Sequence, residues 1–332
     1  MKKLISIIFM AVLVFGVMDG CSSTQEANSN SSSDKKANFP TKPISIIVAY
    51  DAGGGTDTTA RTLQPFLEDE LGVPVNIMNK PGGSGWVGWT EIANSKPDGY
   101  TIGFLNSPNL ASGLVNPTME KQIDLDKFEY IGNHVTDPGV VAIRVDDERF
   151  SNFKELVEYA KKNEVTTTAT GVAGDDHLVT LKLNEALGTK FRDIQFDGTA
   201  KSRAAFLGGH VDVLISSVGE AYPMHQEKQL KAVAVTAEEK SPFLPDVPTV
   251  AEAGFDPVIS QSTRGLVAPV GVDQEKIDIL QKALKNAAQT AEHEEKMKEL
   301  GTQAHYVNGE EYRKLLEQDK KDIEGLKELL GW

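Results

Sequence analysis

Gly53, Gly54 and Gly55 stand between a β-branched apolar run (Ile44, Ile46, Ile47, Val48) and a stretch from Thr59 to Glu70 patterned as an amphipathic helix. Glycine lets a ligand or another backbone segment come close, and Thr56 or Asp57 is placed to cap the helix start. A strand, a glycine turn and a helix start together aim unpaired N–H groups and a positive dipole end at one open space. Such a place holds an anion without Lys or Arg. A tight βα turn alone would use the same glycines, so one such loop does not decide the matter. A second loop of the same kind follows the strand pattern Val73–Met78, at Pro81-Gly82-Gly83-Ser84-Gly85-Trp86-Val87-Gly88. Residues 83 to 88 match G-x-G-x-x-G, the dinucleotide fingerprint. No acidic residue ends a following strand about 20 residues on, as ribose recognition would need, so the preferred reading is a second ligand-facing loop.

Catalytic and metal chemistry find little support. The six histidines (134, 177, 210, 225, 293, 305) show no i, i+4 pair and have no cysteine partners. There is no G-x-S-x-G elbow and no Ser/Lys pairing of recognisable spacing. Asp57 as a helix cap is a cheaper explanation than Asp57 as a general base. The chain is therefore read as a binding protein with no cofactor, no metal and no catalytic residue; an exported hydrolase or dehydrogenase ranks last.

The elements that must position these loops begin after an export signal. Met1-Lys2-Lys3 precedes an apolar run from Leu4 to Met18, then Asp19-Gly20-Cys21, which is a charged n-region, an h-region and a small residue before the cleavage point. The chain's single cysteine, immediately after Gly20, resembles the acylated cysteine of lipoprotein signals. Ser22 to Asn38 is rich in Ser and Asn, too polar to bury a core, and reads as a flexible tether. Removing Lys2, Lys3 and Asp19 takes the formal net charge from −14 to −15. That acidity argues against nucleic acid and against electrostatic adhesion to anionic lipid. The folded part carries no cysteine, hence no disulfide.

About 290 residues remain, which suits two α/β domains. Repeated strand, Gly or Ser turn and helix units imply parallel sheets with right-handed crossovers. Phe128–Val135 and Val140–Val145 read as two short strands separated by a turn at Thr136-Asp137-Pro138-Gly139, the first candidate crossing between domains. Val258–Val267, with Arg264 inside it, is the second. Residues 273–291, 293–300 and 309–330 read as helices packed against the first domain. The expected division is 1–20 signal, 21–38 tether, 39–138 with 262–332 as domain one, and 139–261 as domain two.

Six motifs in order fit one pattern: Lys42-Pro43-Ile44 through Gly53-Gly54-Gly55-Thr56-Asp57; Asn79-Lys80-Pro81-Gly82-Gly83; Pro97-Asp98-Gly99-Tyr100; Gly198-Thr199; Gly208-Gly209-His210-Val211-Asp212; and Leu244-Pro245-Asp246-Val247-Pro248-Thr249. From about Phe39 onward the chain resembles the substrate-binding receptors of tripartite tricarboxylate transporters, the Bug-type receptors. The resemblance implies two Rossmann-like domains of periplasmic-binding-protein type (type II-like), joined by two crossing segments and closing on a small carboxylate. It implies ligand contacts from Tyr50, Gly54, Gly55, Thr56 and Asp57, from Gly83, Ser84 and Gly85, and from Asn106 and Ser107. The second wall would be Thr170, Gly171, Asp197, Gly198, Thr199, Ser216 and Ser217. It further implies delivery to integral membrane permease subunits by a monomer anchored through Cys21. A sensory receptor signalling to a membrane kinase is the alternative on the same scaffold.

Four positions depart from the pattern. Asp51-Ala52 replaces a Pro pair, Asp175-Asp176 replaces small hydroxyl residues, Asp197 replaces a Lys and Ser216-Ser217 replaces Asp-Asn. Each added carboxylate near a bound anion costs on the order of 1 kcal/mol at an effective dielectric near 20 or higher. A monocarboxylate or an amino-bearing acid then suits the cleft better than a trianion. Asp175 and Asp176 could instead cap a helix and face solvent. Arg264 is the cation expected to reach the ligand, its fork matching a carboxylate; a salt bridge locking the crossing strands is its other reading.

Overall fold

The computed structural model describes residues 38–120 and 123–332. The signal, Cys21 and the tether up to residue 37 lie outside the described residues.

The β-branched runs form the strands their patterns predict. In the first half, β1 (Ile44–Val48) pairs in parallel with β2 (Val75–Asn79) and β3 (Thr101–Ser107). Its side chains alternate between two apolar layers. Ile44, Ile46 and Val48 pack with α1 (Gly55–Leu71), while Ile47 and Ala49 pack beside Trp89 of α2 (Trp86–Ala93). A strand covered on both faces explains the near-continuous apolar sequence. The short helix α3 (Asn109–Val115) follows β3.

The predicted turn at residues 136–139 is absent. Phe128 to Arg144 is one strand, β4, running through both halves of the molecule. Its first part pairs antiparallel with the later strand over residues 261–269, placing Thr136 opposite Thr263, Asp137 opposite Ser262 and Pro138 opposite Gln261. Tertiary pairing thus overrides the turn propensity of Asp-Pro-Gly. Past Pro138, β4 leaves that partner and enters a second group of strands.

The second half runs α4 (Phe153–Ala160), β5 (Val165–Thr170), α5 (Asp175–Leu187), β6 (Phe191–Phe196), α6 (Thr199–Leu207), β7 (Val213–Ser217), α7 (Val218–Gln226) and β8 (Leu230–Thr236). Strands β5–β6 and β5–β7 are parallel, and β4 inserts antiparallel between β7 and β8. The chain returns through β9 (Gln261–Pro269), antiparallel to both β3 and β4. The strand orders are β2-β1-β3-β9-β4 in one half and β6-β5-β7-β4-β8 in the other. Each half is therefore a parallel α/β unit with one antiparallel strand supplied by a crossing segment.

The C-terminal part covers the first half, with α8 (Gln274–Ala288) on α1 and α10 (Gly309–Gly325) on α3. Between them come α9 (Ala291–Glu299) and a strand that the sequence pattern did not announce, β10 (Ala304–Asn308), which adds antiparallel to β4.

Close packing pins β9 where it crosses. A Cβ on Gly265 would lie 2.4 Å from the Tyr312 ring and 2.8 Å from the Gly132 carbonyl. Gly265→Ala is expected to lower stability by about 1–3 kcal/mol through overpacking, read as a lower denaturant midpoint with an unchanged slope.

Candidate functional site

The two halves face each other across a cavity lined by Tyr50, Gly54, Gly55, Thr56, Asn106, Asn109, Thr170, Asp175, Gly198, Thr199, Glu220, Ser262 and Arg264, with about 390 Å³ of empty space when the solvent at its mouth is counted. Four helix starts converge on it: α1 at Gly55, α5 at Asp175, α6 at Thr199 and α7 through Glu220 in its first turn. Each helix start carries about half a positive charge, on the order of two charges together.

The first of these helices starts differently from the sequence expectation. Gly54, in extended backbone, is its N-cap and makes no side-chain capping bond; Thr56 and Asp57 lie inside the helix. Asp57 reaches back, its Oδ2 accepting from the Gly53 N–H at 2.9 Å and its Oδ1 from Asn79 Nδ2 at 2.9 Å. Burial alone would raise its carboxyl, but Arg61, Gly53 and Asn79 hold it below the usual carboxylate range. Asp57 therefore braces the loop from below and does not line the cavity.

The centre of the cleft is a residue that sequence reasoning missed. Glu220 Oε1 accepts from the Gly55 N–H at 2.6 Å and from Thr199 Oγ1 at 2.6 Å, while Ser216 Oγ donates to Oε2 at 2.6 Å. Burial pushes this carboxyl up, but the Arg264 charge and the Ser216, Thr199 and Gly55 hydrogen bonds outweigh it and keep Glu220 ionised. The glycine at 55 is required: a Cβ there would lie 2.5 Å from Glu220 Oε1 and 2.8 Å from Arg264 Nη2. The local pattern Ser217-Val218-Gly219-Glu220 reads as a capping box, but Ser217 makes no side-chain capping bond and the Glu220 carboxylate is engaged by Gly55, Thr199 and Ser216 instead.

Arg264 lies on the cavity wall, yet its Nη2 donates to Asp137 Oδ2 at 3.3 Å and to Ser217 Oγ at 3.1 Å, and it is only 3% exposed. The salt bridge between crossing strands is thus formed. Burial holds the Asp137 carboxyl above the usual range, and that guanidinium with hydrogen bonds from Ser217 and Gly219 offsets part of the rise.

Of the residues expected from sequence, Tyr50, Gly54, Gly55, Thr56, Asn106, Thr170, Gly198, Thr199 and Arg264 are brought together around the cavity. The Gly83-Ser84-Gly85 loop is not. The Gly85 N–H donates to the Gly82 carbonyl, and Ser84 packs against Gly171, where a Cβ would lie 2.7 Å from Ser84 Cβ. This second loop therefore seals the two halves together beside the cleft. Ser107 is buried in β3 opposite Thr263. Ser216 and Ser217 form a layer behind the wall, holding Glu220 and Arg264. Asp197 is exposed, 3.8 Å from Lys201.

Asp176 is buried and Asp175 is half-buried. Asp175 lines the cavity, its carboxyl pushed up to about 6 by burial first and by Glu220 second. Asp176, 2% exposed, accepts from the Thr170 hydroxyl and is raised well above the usual range by burial, then by Asp175 and Glu220. Asn109 and Ser262 complete the wall without having been expected. Asn109 Nδ2 donates to the Thr170 carbonyl at 2.8 Å, so it too joins the halves.

Two outcomes follow. A carboxyl whose pKa rises on folding destabilises the fold once the unfolded chain has ionised, so the Asp175 contribution falls as pH climbs from about 4 to about 6. Asp175→Asn should stabilise the protein at pH 7.5 on the order of 2 kcal/mol and change it little at pH 4, measured by denaturant titration at both pH values. Arg264→Ala leaves Asp137 buried without its partner and should cost about 3–5 kcal/mol, with Asp137→Asn in the same background restoring part of the loss.

Comparison with known proteins bears on this geometry. Residues 59–330 match the family described as the tripartite tricarboxylate transporter family receptor. A protein from Cupriavidus necator, "UPF0065 protein in gbd 5'region", is 29% identical over 295 residues, covering 88% of this chain and 89% of that one. "Protein BugT" of Bordetella pertussis is 29% identical over 259 residues, 76% of this chain and 78% of its own length. The solved structure of the periplasmic binding protein BugD superposes with a TM-score of 0.81 at 31% identity, covering 88% of this chain and 99% of that one.

Proposed function

Starting from the fact that this chain belongs to the tripartite tricarboxylate transporter receptor family, and so is an extracytoplasmic solute-binding receptor rather than an enzyme, we propose that it captures a small carboxylate in this cavity and delivers it to a membrane permease. The observation that carries the reading is the cleft's own carboxylate. Glu220 is gripped by a helix-start N–H from one half and two hydroxyls from the other, which is the donor set that carboxylate recognition needs.

Charge limits the ligand further. About two positive charges from helix starts face the ionised Glu220, and Arg264 is already matched by Asp137. Once Asp175, which is ionised above about pH 6, is counted as well, the cleft is close to balance and disfavours a trianion. The two halves divide near residues 138 and 261 into domains (39–138 with 262–332, and 139–261) that move about the crossing strands β4 and β9. The ligand prefers the closed arrangement, and that difference in affinity shifts the population. The receptor acts as a monomer held to the membrane through Cys21.

A thermal-shift screen of mono-, di- and tricarboxylates, with neutral sugars as controls, tests this. A fitting acid at 100 times its dissociation constant adds about 2.7 kcal/mol and compacts the protein in small-angle scattering. Sugars raising the melting temperature while every carboxylate is silent would reject the reading.

A further inference from the structure

The donors that a ligand carboxylate needs are already in use. Glu220 Oε1 accepts from the Gly55 N–H and the Thr199 hydroxyl at 2.6 Å each, and Oε2 accepts from the Ser216 hydroxyl at 2.6 Å. Arg264 is turned toward Asp137 and Ser217, so among the described residues these hydrogen bonds, and not an ion pair, hold Glu220. The bond from Gly55 crosses between the halves; the two hydroxyls share the second half with Glu220.

A second cavity lies behind this seat, with about 470 Å³ of empty space when the solvent at its mouth is counted. Gly55, Glu220 and Arg264 line both cavities and stand between them. The rear cavity is also lined by Arg203, whose Nη2 donates to the Gly53 carbonyl at 3.2 Å. Among the described residues it is lined by no carboxylate other than Glu220.

We propose that Glu220 is a resident stand-in for the ligand carboxylate, filling the anion seat until an incoming acid displaces it into the rear cavity toward Arg203. The proposal rests on the carboxylate reading above and deepens it, by making Glu220 the residue that sets affinity for acids. The side chain pivots between staggered rotamers while its backbone stays on α7. The Gly55 N–H and the Thr199 hydroxyl pass to the ligand, and the Glu220 charge passes to a guanidinium. Two carboxylates confined to one seat would repel instead. The observed affinity is then the intrinsic one, reduced by the fraction of molecules whose seat is free.

Acetate is the probe, because it is a bare carboxylate with one methyl attached. Its dissociation constant is read from the melting temperature of the intact chain against sodium acetate, with sodium chloride at equal ionic strength as the blank. Glu220→Ser empties the seat and is expected to bind acetate at least about tenfold tighter than wild type, as for a seat free in about a tenth of molecules. Glu220→Asp keeps the charge on a side chain too short to span to Gly55 and should tighten binding as well. It also keeps the proposal open to rejection should the serine variant fold poorly. Arg203→Ala should weaken acetate binding about threefold in wild type and leave it unchanged in the Glu220→Ser background.

Equal or weaker binding by both Glu220 variants overturns the displacement and leaves the carboxylate reading standing. Tightening in Glu220→Ser but not in Glu220→Asp overturns it too, because the loss of a nearby charge explains that result. An equal effect of Arg203→Ala in both backgrounds rejects the move into the rear cavity. No response to acetate in either Glu220 variant overturns the displacement; if every acid of the screen above is silent as well, the carboxylate reading falls with it.

Discussion

The Glu220 carboxylate is held from both halves of the molecule at once. The Gly55 N–H belongs to the start of α1, and the Thr199 and Ser216 hydroxyls belong to the opposite wall. Charge-assisted bonds of this kind are about twice as strong as neutral ones, and burial strengthens them further. The bare glycine at 55 follows from seating one ionised group at the meeting point of several helix starts, and that group adds to the burial that raises the Asp175 carboxyl. Around it, Arg203 donates to the Gly53 carbonyl at 3.2 Å and Lys201 pairs with Asp51 at 2.9 Å, so the rim repeats the same contact between halves in more exposed form. Such exposed pairs contribute about 0–1 kcal/mol each, and the buried group governs the geometry.

Behind this seat, β4 and β9 run side by side where the chain passes between halves, and the Arg264–Asp137 pair ties them together. A buried ion pair of this sort adds little net stability compared with apolar packing, but it tolerates no missing partner. It fixes the register of the crossing strands and keeps the cation beside the cavity without offering its whole fork to a ligand. The result is a cleft of nearly balanced charge inside a chain of net charge −14. Local N–H dipoles and one guanidinium set the field at the ligand, and salt screens the acidic exterior beyond roughly 8–10 Å.

Much of the fold was legible because its signals are local. The β-branched run of β1, the glycines before α1 and the repeated βα units have periods of two and of 3.6 residues that need no knowledge of distant partners. The motif order further pointed to the family and to nine of the residues that surround the cavity. The misreadings have one cause in common. Thr136–Gly139 reads as a turn until β9 supplies a ladder, and the loop at 83–85 reads as ligand-facing until Gly171 is packed against it. Asp175 and Asp176 read as solvent-facing helix caps until folding sets Asp175 on the cavity wall and buries Asp176 against Thr170.

By itself the sequence determined the βα units, the glycine-bounded helix start able to hold an anion and the acidity of the chain. Only the tertiary structure decided which carboxylate meets that helix start. Gly55 and Glu220 are 165 residues apart, and no spacing rule connects them. Their pairing depends on two separately patterned halves docking through β4 and β9. An electrostatic seat is a property of summed dipoles and charges in three dimensions, and no local pattern encodes it.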